Sequence, residues 1–334
     1  MKKKPGLKDI AQEAGVSTAL VSYVLNNKKE GRINKDLAQK IKQIARSLNY
    51  RTNQIARSLK TNRTHTIGLI VADISNNFSS SLARIIEDEA DHHGYTVLFG
   101  SSDENDAKFE RILDTLVTRQ VDGLIMAPPE NTENQVRILQ QQQVPFVLFD
   151  RYYPGFQCNY VALDNFGAVY KGVTHLINKN RKKIGLITYR SSLFHLQERV
   201  RGYVEALNDN GIGFNPERLK EVDIIYRKTE IETAIDDLLF HKDPVDAIIF
   251  GSNSIALNGL KHILKRNISV PDALEIVSFD ETDAQDLFNA SMTFLRQPML
   301  EMGQTATRIL LDQMNKSKTP QEIILQAEMI HVER

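Results

Sequence analysis

HTIGLIVADIS (residues 65–75) and KKIGLITYRSS (182–192) read as one strand written twice. Each is a short continuous apolar run that ends in polar turn residues. Such a run fits a strand of a parallel sheet covered on both faces. After the first copy come a helical stretch over 79–93, YTVLFGSS (95–102), helical 106–119, VDGLIMAP (121–128), helical 131–142 and VPFVLFD (144–150). This alternation is the pattern of parallel strands joined by crossover helices. The same words return after the second copy, as VDAIIFGS (245–252) and VPDALEIVSFD (270–280). Three echoes in one order predict two related α/β lobes in tandem.

Ligands of open α/β sheets sit at strand ends, and pockets favour the junction of two domains. Asp73, Asp103, Asp150, Asp164 and Asp280 all follow or end predicted strands. Carboxylates placed there suit a ligand rich in hydroxyls, because each oxygen accepts from O–H groups. The competing use of such an Asp is to cap the next helix.

The sequence carries no dinucleotide or phosphate-binding glycine motif, no HExxH, no CxxC and no GxSxG. His92 and His93 are adjacent and would diverge on a helix, while His175, His195 and His241 are isolated and read as surface or packing residues. The single cysteine, Cys158, excludes an internal disulfide. No catalytic constellation, cofactor motif or metal set is legible, so an enzyme is not expected. No apolar run approaches the ~20 residues of a membrane helix, and the basic N-terminus lacks a secretory apolar segment. A cytoplasmic protein is expected, with no membrane partner.

The net charge of zero hides an asymmetry. Residues 1–65 hold ten Lys and five Arg against four Asp and Glu, a net of +11, and residues 66–334 carry the compensating −11. A basic head on an acidic body points to a polyanionic partner for the head. Within it, Leu7, Ile10, Ala11 and Ala14 recur at helical spacing, Gly15 ends that helix, and Ser17 can cap a second over Thr18 to Leu25. Two short helices joined by a glycine turn form a helix-turn-helix unit. A third helix, about Lys35 to Leu48, supplies an apolar stripe that closes a small core.

Between head and body lies TNQIARSLKTNRT (52–64). Its only apolar residues, Ile55, Ala56 and Leu59, fall on one face of a short helix over Asn53 to Leu59. An isolated helix shorter than roughly 12–15 residues is marginal in water.

LKDIAQEAGVSTALVSYVLN (7–26) resembles the opening of the lactose-repressor (LacI/GalR) family of bacterial transcription regulators. The resemblance continues through LNYRTNQIARSLKTNRTHTIGLIVADISNNF (48–78), and DRYYP, VALDNFGAVY, ERVRGYVEAL, VPDALEIVSFDE and LRQPMLEMGQTA follow in the family's order. It implies an α/β protein with an N-terminal three-helix helix-turn-helix head and a two-lobed, periplasmic-binding-protein-like body of parallel sheets. The implied domains are 1–50 (DNA-binding head), 51–64 (hinge helix and linker), 65–164 with 293–324 (DNA-proximal lobe) and 165–292 with 325–334 (distal lobe). It also implies a homodimer, associated with the nucleoid, that binds a pseudo-palindromic double-stranded DNA operator. A solute-binding receptor and a cytosolic α/β enzyme are the alternatives, and the basic head and the empty catalytic inventory argue against them.

The residue roles follow from the same resemblance. Thr18, Ala19 and Tyr23 match the family's base-reading positions, with Ser22 on the same part of the helix, and Ser17 and Asn26 match phosphate contacts. Tyr23 departs from the commoner Arg and lacks the two-pronged donor that Arg gives to guanine. Residues 53–59 match a hinge helix that orders in the minor groove. There Leu59 would wedge into a base step, and Arg51 and Arg57 would meet phosphate or the groove floor. Thr52 stands where the family usually has Pro. In the cleft, Phe78, Asp150, Arg199, Tyr226, Asn253 and Asp280 match ligand-lining positions. Ser254 stands where sugar-binding members often have Asp, which weakens the commonest hexose mode. The expected effector is a small molecule: a sugar, sugar acid or sugar phosphate.

Overall fold

The computed structural model describes residues 5–26, 32–50, 63–224, 227–281, 290–315 and 319–333. The chain divides into two compact units, Met1–Thr64 and His65–Arg334.

The first unit contains α1 (Leu7–Ala14), α2 (Thr18–Leu25) and α3 (Lys35–Ser47). Gly15 takes the left-handed backbone, φ +70°, and the Val16 N–H turns back to the Ala11 carbonyl at 3.0 Å. A glycine adopts that conformation without the steric cost that a Cβ would bring. Ser17 then opens α2, its hydroxyl oxygen accepting from the Leu20 N–H at 3.2 Å. Ile10, Ala11, Ala14, Val21, Val24, Ile41 and Ala45 form the small core. The short helix expected over Asn53–Leu59, with Arg51, Arg57 and Leu59, lies outside the described residues.

The second unit holds two six-stranded sheets. The first contains β1 (Thr66–Val71), β2 (Thr96–Ser101), β3 (Gly123–Met126), β4 (Phe146–Phe149), β5 (Tyr160–Leu163) and β11 (Glu322–Leu325), in the order β11-β5-β4-β3-β1-β2. The second contains β6 (Ile184–Tyr189), β7 (Leu219–Val222), β8 (Ala247–Phe250), β9 (Glu275–Phe279), β10 (Met292–Arg296) and β12 (Glu328–Val332), in the order β12-β10-β9-β8-β6-β7. All neighbours are parallel except β10 and β12. Among the described residues its α-helices are α4 (Asn77–His92), α5 (Asp106–Thr118), α6 (Glu133–Gln141), α7 (Asn165–Asn178), α8 (Phe194–Asp209), α9 (Arg227–Phe240), α10 (Asn253–Lys265) and α11 (Met299–Met314).

The sequence repeat is a repeat of register. Ile67 pairs with Gly123 and Leu124 with Phe146, as Ile184 pairs with Ala247 and Ile248 with Ile276. The repeated "VD" has one job in both lobes. Asp122 accepts from the His65 N–H at 2.9 Å, and Asp246 accepts from the Lys182 and Lys183 N–H groups at 3.0 Å. Each carboxylate thus satisfies backbone donors where the first strand of its lobe begins.

One boundary is corrected. Residues from 293 onward were expected in the first lobe, yet β10 lies in the second sheet, parallel to β9 and antiparallel to β12. Its first four residues are all buried, so its pairing with β9 and β12, not its apolar pattern, decides which sheet it joins. The chain returns to the first lobe only with α11, which packs on α4, β3, β4 and β5. Tandem reading of the repeat could not place these late segments, because β11 and β12 come from adjacent sequence but join different sheets.

Candidate functional site

β4 and β9 end at equivalent positions, and each delivers an Asp in the left-handed region: Asp150 at φ 63° and Asp280 at φ 65°. Asp tolerates that region better than most residues. Both are pinned by the next strand, the Asp150 N–H on the Val161 carbonyl at 2.9 Å and the Asp280 N–H on the Leu295 carbonyl at 3.0 Å. The two carboxylates line one cavity of about 170 Å³ between the lobes, together with Phe78, Arg199 and Asn253. Five of the six expected ligand residues are therefore brought together, and Tyr226 lies outside the described residues.

Arg199 comes from α8 and is buried. Its Nε donates to Asn165 Oδ1 at 2.8 Å and its Nη1 to the Gly251 carbonyl at 2.6 Å, and its guanidinium lies 3.5 Å from the Phe279 ring centroid. Burial pulls its pKa down to about 10, although Asp280 and Asp150 support the charge. Burial pushes Asp280 up to about 6, against the pull of Arg199 and of Gln297, whose Nε2 donates to Asp280 Oδ1 at 2.8 Å. Asp150 is raised too, by burial, with Arg151 and Arg199 opposing. Two carboxylates that feel each other in a partly dry cavity do not both ionise easily.

Several cavity residues were not expected. Arg151 forks onto Glu104, Nη1 to Oε2 at 2.7 Å and Nη2 to Oε1 at 2.5 Å. Burial opposes the charge on Arg151, but the Glu104 carboxylate more than offsets this and its pKa is raised. His195, expected at a surface or in packing, lines the cavity, and burial and then the two arginines hold it neutral, well below its ordinary value. Its Nδ1 finds no partner among the described residues. Tyr189 provides a lining aromatic from the second lobe. Arg151 stood in the quoted DRYYP, but its pairing with Glu104 spans 47 residues of chain and no spacing rule could find it.

The other strand-end carboxylates do local work. Asp164 accepts from the Gly167 N–H at 2.8 Å at the start of α7, Asp73 accepts from Ser75, and Asp103 pairs with Lys108. Of these, Asp73 also touches the cavity. His175 shares the Thr293 hydroxyl with His331, and no group of three or more His, Cys, Asp or Glu that could hold a metal occurs among the described residues.

In the first unit, Ser17, Thr18, Ala19 and Tyr23 are exposed on α2 while Val21 and Val24 face the core. Ser22 and Asn26 are half-buried, and Asn26 Nδ2 donates to the Ser22 carbonyl at 2.7 Å. The Ser17 oxygen serves as the cap acceptor, which leaves its O–H as a donor. Lys8, Lys35, Lys40, Lys42 and Arg46 are exposed on the same unit.

A family model described as "Bacterial regulatory proteins, lacI family" matches residues 6–53, and one described as "Periplasmic binding proteins and sugar binding domain of LacI family" matches residues 64–331. The chain belongs to the LacI family. Among LacI-family relatives, catabolite control protein A of Priestia megaterium is 33% identical over 318 residues, 95% of this chain and 94% of that protein. The transcriptional repressor CytR of Escherichia coli K12 is 30% identical over 308 residues, 92% and 89% of the two chains. The solved lac repressor dimer bound to operator and the anti-inducer ONPF superposes with a TM-score of 0.87 at 20% identity, covering 98% of each chain. The protein is thus a DNA-binding transcriptional regulator with a ligand-binding body, and its relatives are regulators rather than enzymes. No helix among the described residues is long and apolar enough to cross a membrane.

Proposed function

We propose that this regulator works as a homodimer on a pseudo-palindromic operator, and that a neutral, hydroxyl-rich ligand of about one sugar ring, held between the lobes, sets its DNA affinity. The observation that carries the ligand reading is the equivalence of Asp150 and Asp280, two acceptors on opposite lobes facing one cavity beside Arg199. Phe78 and Tyr189 offer apolar faces to a ring. A cavity of about 150 Å³ admits one six-membered ring, and this cavity is about 170 Å³. Among the described lining residues, the acids Asp73, Glu104, Glu130, Asp150 and Asp280 outnumber Arg151, Arg190 and Arg199. That balance favours a neutral sugar over a sugar acid or sugar phosphate, since Arg151 is already matched by Glu104.

On the DNA side, Thr18, Ala19, Ser22 and Tyr23 read base edges, and Ser17 and Asn26 hold phosphates. Arg51, Arg57 and Leu59 act from the hinge segment in the minor groove. Residues 65–164 with the late segments of the first sheet form the lobe nearer DNA. The first test is a thermal-shift screen of neutral sugars, sugar acids and sugar phosphates on the full chain. A neutral sugar should raise the midpoint in step with the logarithm of its concentration. A shift given only by anionic sugars would overturn the charge argument.

A further inference from the structure

Helix α8 carries both His195 and Arg199 into the cavity, yet it has no cap of its own. Leu193 occupies the N-cap position and has no side-chain acceptor to offer. The two residues ahead of it are held instead by an acceptor from the other lobe. Glu130, in the segment after β3, accepts from Ser191 Oγ at 2.6 Å and from the Ser192 N–H. Ser191 Oγ in turn accepts from the Leu193 N–H at 3.2 Å. Burial would raise the Glu130 carboxyl, but the donors from Ser191 and Ser192 lower it, so the carboxylate is the form held.

The segment that presents Glu130 is itself fixed. Pro128 and Pro129 precede it. The wholly buried Thr132 donates to the Pro129 carbonyl at 2.7 Å and bonds the Tyr153 hydroxyl at 3.1 Å. The anchor on the first lobe is therefore stiff, and its target is Ser191 and Ser192, the two residues that lead into the helix presenting two cavity residues. A second bridge crosses elsewhere in the cavity lining: Asn253 Nδ2 donates to Asn76 Oδ1 at 2.8 Å, the oxygen that also accepts from the Phe78 N–H at 3.0 Å.

We propose that Glu130 is a cross-lobe positioning residue that ties the lead-in of α8 to the opposite lobe, holding His195 and Arg199 against Asp150 and so setting effector affinity. This rests on the reading of the cavity as the effector site. Arg199 reaches its Asn165 and Gly251 partners within the second lobe, so Glu130 governs the placement of α8 relative to the first lobe rather than the fold of the helix. A ligand that needs both lobes binds less well by the fraction of time the lobes are apart.

The test compares Glu130→Ala and Glu130→Gln with the unchanged full chain. Amide hydrogen exchange is followed at residues 192–194, and affinity is measured by calorimetry with D-glucose, D-ribose and D-gluconate as probes. In E130A, exchange at Ser192 and Leu193 should rise and the affinity for the bound sugar should fall about tenfold, the scale of a lost hydrogen bond to a charged group. The global unfolding midpoint should stay close to that of the unchanged chain. E130Q keeps an acceptor oxygen and should recover most of both effects. Unchanged exchange in E130A, or faster exchange with unchanged affinity, overturns the positioning role. If no probe binds the unchanged chain, the effector reading fails for these sugars and the exchange result alone decides whether the clasp exists.

Discussion

Replacing Asp280 by Asn should make the body more stable while removing effector binding. Burial raises Asp280 to about 6 from its ordinary 3.8. A carboxylate raised in the folded state stabilises the fold fully below the unfolded value, and that contribution is lost as pH rises through about 6. At pH 7.5 the ionised group therefore costs stability, by at most about 3 kcal/mol from the size of the shift. Contact with the cavity screens part of this, so about 2 kcal/mol is expected. The Asn side chain keeps an oxygen for Gln297 Nε2, loses the charge, and relieves Asp150 of a like charge nearby. The assay is urea unfolding of D280N and the unchanged chain, following the transition of the second unit at pH 7.5 and at pH 5. The gain should be largest at pH 7.5 and about half as large at pH 5. A variant less stable at pH 7.5, or a gain equal at both pH values, would refute the account of the cavity as a place where charge is held at a cost.

Three further substitutions probe other links. Glu104→Ala leaves the Arg151 guanidinium buried without its forked partner, and about 3 kcal/mol should be lost in urea unfolding at neutral pH. Gly202→Ala would place a Cβ 2.4 Å from the Phe166 carbonyl oxygen. That contact forces α7 and α8 apart at a cost of about 2 kcal/mol, seen as a lower thermal midpoint. Ser17→Ala removes the α2 cap, which should cost about 1 kcal/mol and speed amide exchange at Leu20 without changing the transition of the second unit.

What the sequence made legible was local or periodic. The helix-turn-helix helices and the two copies of the strand pattern follow from short-range spacing, and the register pairs Ile67–Gly123 and Ile184–Ala247 give that repeat its geometry. Spacing offered five strand-end carboxylates alike, and only the family resemblance singled out Asp150 and Asp280 among them. What stayed hidden depends on distant partners. Glu104 with Arg151, Glu130 with Ser191, and Gln297 with Asp280 join residues far apart in the chain. His195 read as an isolated histidine because Arg151 reaches it from the other lobe, although Arg199 stands one turn on along the same helix. β10 was placed in the wrong lobe because its apolar face fits either sheet until pairing with β9 and β12 decides.

The most direct measurement of ligand-set operator binding is thermodynamic linkage in the full chain. A duplex is selected from a random pool by the protein, and its dissociation constant is measured by fluorescence anisotropy with and without the neutral sugar found by thermal shift. The duplex should be palindromic, with affinity falling steeply as salt rises. Saturating sugar should change its dissociation constant at least ~5-fold, and the sugar should have no effect on DNA binding by D280N. A sugar that binds the cavity yet leaves operator affinity unchanged would contradict the account.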